Sequence, residues 1–118
     1  MFGLPQDIDL GFFDARELEQ VCIGAHVVIL NFDEDVSLTI EGDICHRSSA
    51  GAVMTFTSST SAAATLVGLI NGKVLTALRI HPGTLSLRFS NGESLEIPDT
   101  NECYESYQIW HGQRVIVV

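Results

Sequence analysis

The chain has 118 residues, of which 46% are hydrophobic and 18% charged, and its net charge is −9. This size and composition predict one folded domain over residues 1–118 with a single core. Fifteen acidic against six basic residues disfavour nucleic-acid phosphates and anionic membranes as partners, and the longest uncharged segment, residues 48–72, is too rich in Ser and Thr to span a membrane.

The beginning of the chain has no basic segment followed by an apolar stretch, as a secretory signal would. Three cysteines, Cys22, Cys45 and Cys103, share no close spacing, which favours free thiols over a disulfide framework. We therefore expect a cytoplasmic location.

Two related units organise the chain, one at about residues 11–42 and one at about 68–99. They align without a gap when Gly11 is placed on Gly68. Apolar positions match in eight pairs: Leu18 with Leu75, Val21 with Leu78, Ile23 with Ile80, Val28 with Leu85, Leu30 with Leu87, Phe32 with Phe89, Leu38 with Leu95, and Ile40 with Ile97. Because many of these positions recur every second residue, each unit is predicted to contain a lead-in strand and a β-hairpin.

The predicted hairpin turns differ between the units. Asn91-Gly92 in the second unit is a strong turn signal, since Gly accepts the left-handed backbone that tight hairpin turns require. The first unit has Asp33-Glu34-Asp35 at the same place, with three acids and no glycine. This divergence suggests a functional reason for the acids.

The remaining segments complete the prediction. Residues 51–57 fit a further short strand, and the Ala-rich stretch from Ser59 to Leu69, preceded by capping Ser and Thr residues and followed by Gly72, favours one helix. Strands at 103–110 and 114–118 are expected in the C-terminal tail, 103–118, joined at His111-Gly112. The predicted fold is α+β: a mainly antiparallel β-sheet or half-barrel of six to eight strands, built from two pseudo-repeated ββ units with about one helix.

Signatures of catalysis and cofactor binding are weak. Cys22 with His26, and Cys45 with His46, lack zinc-site spacing, and the sequence has no nucleophile elbow or glycine-rich phosphate loop. We predict no catalytic residues, no metal site and no cofactor. A hydrolase remains open as an alternative, since catalytic triads assemble from residues that are distant in sequence.

The acidic residues are unevenly distributed. Ten lie in residues 7–43, whereas none lies between Asp43 and Glu93. If these acids share one side of the fold, they form a surface that steers and binds a basic protein. The candidate partner-binding residues are Asp33, Glu34, Asp35, Glu41 and Asp43, with Tyr104, Glu105, Tyr107 and Trp110 from the tail. Solubility alone is the alternative explanation for the acids, and packing on a sheet is the alternative for the aromatic residues.

The doubled unit followed by Tyr104-Glu105-Ser106-Tyr107-Gln108-Ile109 resembles a family of small uncharacterised bacterial proteins with paired hairpins and an acidic-aromatic tail, over about residues 11–110. Small acidic chains of this kind are also similar to immunity proteins of contact-dependent growth-inhibition systems. The resemblance implies a non-enzymatic, antitoxin-like inhibitor that occludes a basic, nuclease-type toxin domain and is itself a monomer or weak dimer. A self-associating structural subunit is a third possibility.

Overall fold

The computed structural model describes residues 4–5, 7–81, 83–99 and 106–118. It contains ten strands in two antiparallel five-stranded sheets, together with one α-helix and a short 3₁₀ helix at Gly11–Phe13. The α+β class, the antiparallel pairing and the single helix predicted from the sequence are confirmed.

The first sheet has the strand order β1-β2-β3-β9-β10. Its strands are β1 (Leu18–Ile23), β2 (Val28–Phe32), β3 (Val36–Ile40), β9 (Tyr107–His111) and β10 (Arg114–Val117). The first three form the meander expected of the first unit, and the last two come from the C-terminal tail.

The second sheet has the order β6-β7-β8-β4-β5. Its strands are β4 (Ile44–Arg47), β5 (Val53–Phe56), β6 (Val74–His81), β7 (Thr84–Phe89) and β8 (Ser94–Ile97). In this sheet the second unit supplies the three-stranded meander, β6-β7-β8. The β4–β5 hairpin completes the sheet, although it directly follows the first unit along the chain.

The two sheets are thus related by an exchange of hairpins. In each sheet a three-stranded meander pairs through its third strand with a two-stranded hairpin, by β3 with β9 and by β8 with β4. Each hairpin follows the meander of the opposite sheet in sequence. Neither half of the chain therefore contains a complete sheet.

The apolar inner faces of the strands meet in one core. Its largest fully buried side chains are Phe13, Leu18, Leu30, Leu38, Ile40, Leu66, Leu69, Leu85, Leu87, Phe89, Leu95 and Tyr107. The alternation of buried and partly exposed residues along β2 and β3 is the pattern expected for sheets with one face covered. The repeated period-two spacing therefore identified the core residues of β2, β3, β7 and β8. Along the lead-in strands it did not, because these apolar residues are exposed or only partly buried: Val21, Ile23, Leu78 and Ile80.

The α-helix, α1 (Ser59–Val67), begins where the Ser/Thr cluster predicts. Ser58 caps it by accepting a hydrogen bond from the Ser61 backbone N–H, and Ala62 and Leu66 are buried. The helix ends at Gly68, earlier than the predicted end near Gly72. No helix in the described part of the chain is long and apolar enough to cross a membrane.

One detail of the sequence prediction is wrong, and another lies partly outside the described residues. The strand count of six to eight is too low, because β4 contains a single aliphatic residue, Ile44, and has no alternating pattern to reveal it. The C-terminal hairpin starts at Tyr107, and its predicted start at Cys103 lies outside the described residues.

The gapless alignment of the two units is also wrong along the lead-in strand. Leu18 pairs with Phe32, and the residue that pairs with the equivalent Phe89 is Val74 rather than Leu75. Val74 is buried, whereas Leu75 is 61% exposed. The segment between the paired residues Arg79 and Leu85 is one residue longer than the equivalent segment of the first unit. Every residue of the lead-in strand before it is therefore shifted by one position relative to the gapless alignment.

Candidate protein-binding site

The β2–β3 turn carries the three consecutive acids in a strained backbone conformation. Glu34 and Asp35 have φ values of 57° and 59°, and the Val36 N–H donates to the Asp33 carbonyl at 3.4 Å. Two central residues with positive φ are characteristic of a type I′ turn, which normally uses Asn and Gly. The chain therefore holds two exposed acids at positions where glycine would be less strained.

Asp33 anchors this turn to the beginning of β1. Its Oδ1 accepts the Glu17 backbone N–H at 3.0 Å and lies 3.7 Å from Nη1 of Arg16. The Asp33 N–H also donates to the Glu17 carbonyl at 3.1 Å. Asp33 thus contributes both charge and local structure, whereas Glu34 and Asp35 extend from the turn into solvent.

The acidic turn lies beside an exposed tryptophan. Trp110 pairs with Ser37 of the neighbouring strand and is 36% exposed on the outer face of the first sheet. The Gly112 N–H donates to the Asp35 carbonyl at 2.9 Å, which holds the β9–β10 turn against the acidic turn. Sequence reasoning placed these segments in one candidate site, and the fold brings them together although they are about 75 residues apart in the chain.

Trp110 and the three turn acids line one open concavity of about 620 Å³. We call this surface the acidic face and define it by Glu19, Asp33, Glu34, Asp35 and Trp110. Glu19 is one of the ten acids in residues 7–43, but the sequence did not single it out as a candidate. Its position depends on the irregularity in β1 between Leu18 and Gln20, which no sequence pattern indicated. An indole surrounded by carboxylates is suited to a guanidinium or ammonium group, through cation–π and ion-pair contacts.

Glu41 and Asp43 do not belong to this face. They follow β3, whereas the acidic turn precedes it, so about 17 Å of extended strand separates the two groups. Glu41 instead borders a small pocket beside His26 and the start of α1. The fold therefore does not bring Glu41 and Asp43 together with the three acids of the turn.

The aromatic candidates in the tail also separate. Tyr107 is fully buried and its hydroxyl donates to the Gly83 carbonyl at 2.6 Å, so it is a core residue and is not available as an anchor for a partner. Because β9 alternates, Trp110 faces outward while Tyr107 and Ile109 face the core. Tyr104 and Glu105 lie outside the described residues.

One histidine–carboxylate pair bears on the hydrolase alternative. His46 Nε2 lies 2.8 Å from Glu93 Oε1, and Asn91 contacts the other oxygen of the same carboxylate. Both partners are partly buried, and they join the β4–β5 hairpin to the turn between β7 and β8. The pair therefore links the exchanged β4–β5 hairpin to the second unit. Among the described residues, no three His, Cys, Asp or Glu side chains are placed to hold a metal ion.

Comparison with known proteins defines the family but not its activity. Residues 12–118 match the Family of unknown function (DUF6188), and the chain belongs to this family. The match covers both meanders and both exchanged hairpins. No curated protein and no solved structure matches the chain.

Proposed function

We propose that this protein is a stoichiometric, non-enzymatic inhibitor that binds a basic protein through its acidic face. The observation that supports this most strongly is the convergence of Asp33, Glu34 and Asp35 with the exposed Trp110 around one concavity. Carboxylates at the rim and an aromatic residue within the same surface are the combination found at tightly bound protein interfaces.

The backbone of the acidic turn supports the same proposal. Left-handed conformations at Glu34 and Asp35 cost roughly 1 kcal/mol or more each, and a glycine would remove much of that cost. Solubility does not require acids at these strained positions, since other exposed sites accept them freely. A role in binding explains why the two acids are placed at the tip of the hairpin.

The partner we propose is a nuclease-type toxin domain, with this chain as its cytoplasmic immunity protein. Such a domain presents a basic cleft for a phosphate backbone, and clustered carboxylates can occupy that cleft in place of the phosphates. An interface of ordinary size buries about 800 Å² on each partner, which exceeds the turn alone and would include the outer face of the first sheet.

A titration with matched variants tests this proposal. The probe is the C-terminal domain of the protein encoded immediately upstream, titrated calorimetrically at low and at high salt. The test variant is Glu34→Gln/Asp35→Asn in the acidic face. The control, Glu41→Gln/Asp43→Asn, also removes two negative charges, by the same types of substitution. Its residues follow β3, whereas those of the test variant precede it.

We expect one-to-one binding that weakens with salt and is weakened at least about tenfold in the test variant. The control should bind like the unaltered chain, and only the test variant should lose inhibition of the domain's nuclease activity. Equal losses in both variants would show that net charge alone matters and would overturn the assignment of the site. Absence of binding at either salt concentration would overturn the inhibitor proposal for this pair.

A further inference from the structure

The exchange of hairpins gives the molecule two equivalent outer faces. In the first sheet Asn31 pairs with Ser37, which pairs with Trp110. In the second sheet Arg88 pairs with Ser94, which pairs with Arg47. Arg88 thus occupies the position of Asn31, and Arg47 occupies the position of Trp110.

The outer face of the second sheet differs in charge from its counterpart. A concavity of about 290 Å³ lies there, and we define this basic face by Arg47, Arg88, Leu78, Ile80 and Ser86. One acid, Glu96, also lines it, so the two arginines leave the face with a net positive charge. The side chain of Arg47 is 51% exposed, and its Nη2 lies 3.9 Å from Oε2 of Glu96. Arg88 is exposed on β7, an interior strand of the sheet.

The basic face also has an apolar margin. Leu78 is 53% exposed and Ile80 is 38% exposed, both on the outer side of strand β6. Two of the six basic residues of a chain with net charge −9 are therefore gathered beside exposed aliphatic side chains. Gly92 of the second hairpin turn occupies the position that Asp35 occupies in the first turn. This position therefore places no carboxylate beside the arginines of the basic face.

We propose that the basic face of one copy docks onto the acidic face of a second copy. The two faces are complementary in charge, since Arg47 and Arg88 can meet Glu34 and Asp35. They are also complementary in apolar contact, because Leu78 and Ile80 can cover the exposed indole of Trp110. The two faces lie on equivalent strands of the two sheets.

The remainder of the molecule favours a second copy over other anionic occupants. A nucleic acid would meet a strongly acidic chain with only two arginines on this surface, and repulsion at long range would oppose its approach. A second copy presents its acids from the tip of a hairpin. The contact joins different surfaces of the two copies, so assembly is head to tail and does not close at a dimer.

A pair of complementary variants tests this arrangement without any toxin domain. Arg47→Gln/Arg88→Gln removes the basic face and leaves the acidic face intact. Glu34→Gln/Asp35→Asn does the reverse. Each is examined by sedimentation velocity over a wide concentration range at low and high salt, alone and as an equimolar mixture, with circular dichroism to verify folding.

The unaltered chain should show a mass that rises with concentration and falls with salt, and each variant alone should remain monomeric. The mixture should form a dimer and stop there, because each species retains only one functional face. A strictly monomeric unaltered chain would overturn the proposal. So would single variants that associate like the unaltered chain, or a mixture that stays monomeric. Self-association would compete with a toxin domain for the acidic face, but it is measured here without that domain, so the two proposals can fail separately.

Discussion

Individual residues at the acidic turn combine poor backbone geometry with a favourable position for binding. We predict that Asp35→Gly raises the free energy of unfolding by about 1 kcal/mol, because glycine adopts the left-handed conformation without a Cβ penalty. The same change should weaken binding to the proposed basic partner. Urea denaturation and calorimetric titration measure the two effects.

Asp35→Asn is the control that separates charge from backbone strain. It removes the same charge but keeps a side chain at the strained position, so it should weaken binding with little gain in stability. If Asp35→Gly were neither more stable nor weaker in binding, the acid would have no functional explanation at this position.

Tyr107 belongs to the C-terminal tail, but its side chain is part of the core. Burial, with a smaller effect of the nearby Asp99 carboxylate, raises the pKa of its phenol above the ordinary value of 10. The protonated phenol therefore contributes stability that is fully present below pH 10 and is lost as pH rises above it, by up to about 1.4 kcal/mol per pH unit.

Replacing Tyr107 by Phe tests this assignment. The variant should lose about 1–2 kcal/mol at pH 7, because the buried Gly83 carbonyl loses its hydrogen bond. Between pH 10 and pH 11, however, its free energy of unfolding should fall less steeply than that of the unaltered chain. Parallel pH curves from urea unfolding would contradict the role given to the phenol.

Among the elements, strand β6 tests the corrected register. Val74 is buried opposite Phe89, whereas Leu75 lies at an irregularity and is exposed. Val74→Ala should therefore lower the free energy of unfolding by about 2 kcal/mol, and Leu75→Ala by less than about 0.5 kcal/mol. Thermal or urea denaturation compares the two neighbours, and a larger loss at Leu75 would restore the gapless alignment.

The elements also show how far the sequence could predict the structure. The meanders were predictable because burial on one face imposes a period of two, and because Asn91-Gly92 and the acidic turn mark the reversals. Strand β4 and the exchange of hairpins were not predictable. Which hairpin pairs with which meander depends on how both halves of the chain pack, and no local sequence pattern indicates it. The acids at the turn were predicted as a group, but their separation from Glu41 and Asp43 depends on the direction of β3.

At the scale of the whole molecule, the acidic face depends on the exchange of hairpins between the two sheets. The first unit supplies the acids at 33–35 and the C-terminal tail supplies Trp110, because the tail hairpin completes the first sheet. An arrangement in which each hairpin completed the sheet of its own unit would place Arg47, not Trp110, beside the acids. Charge separation between the two outer faces therefore depends on the order in which the chain pairs its strands.

The most direct test uses the single tryptophan of the chain. The protein labelled with ¹⁵N is titrated with the unlabelled basic domain, and its amide and indole N–H signals are followed by NMR. We expect the Trp110 indole signal and the amides of residues 33–35 to shift together and to saturate at one equivalent. Binding that leaves these signals unchanged while shifting residues 41–43, or the basic face, would contradict it.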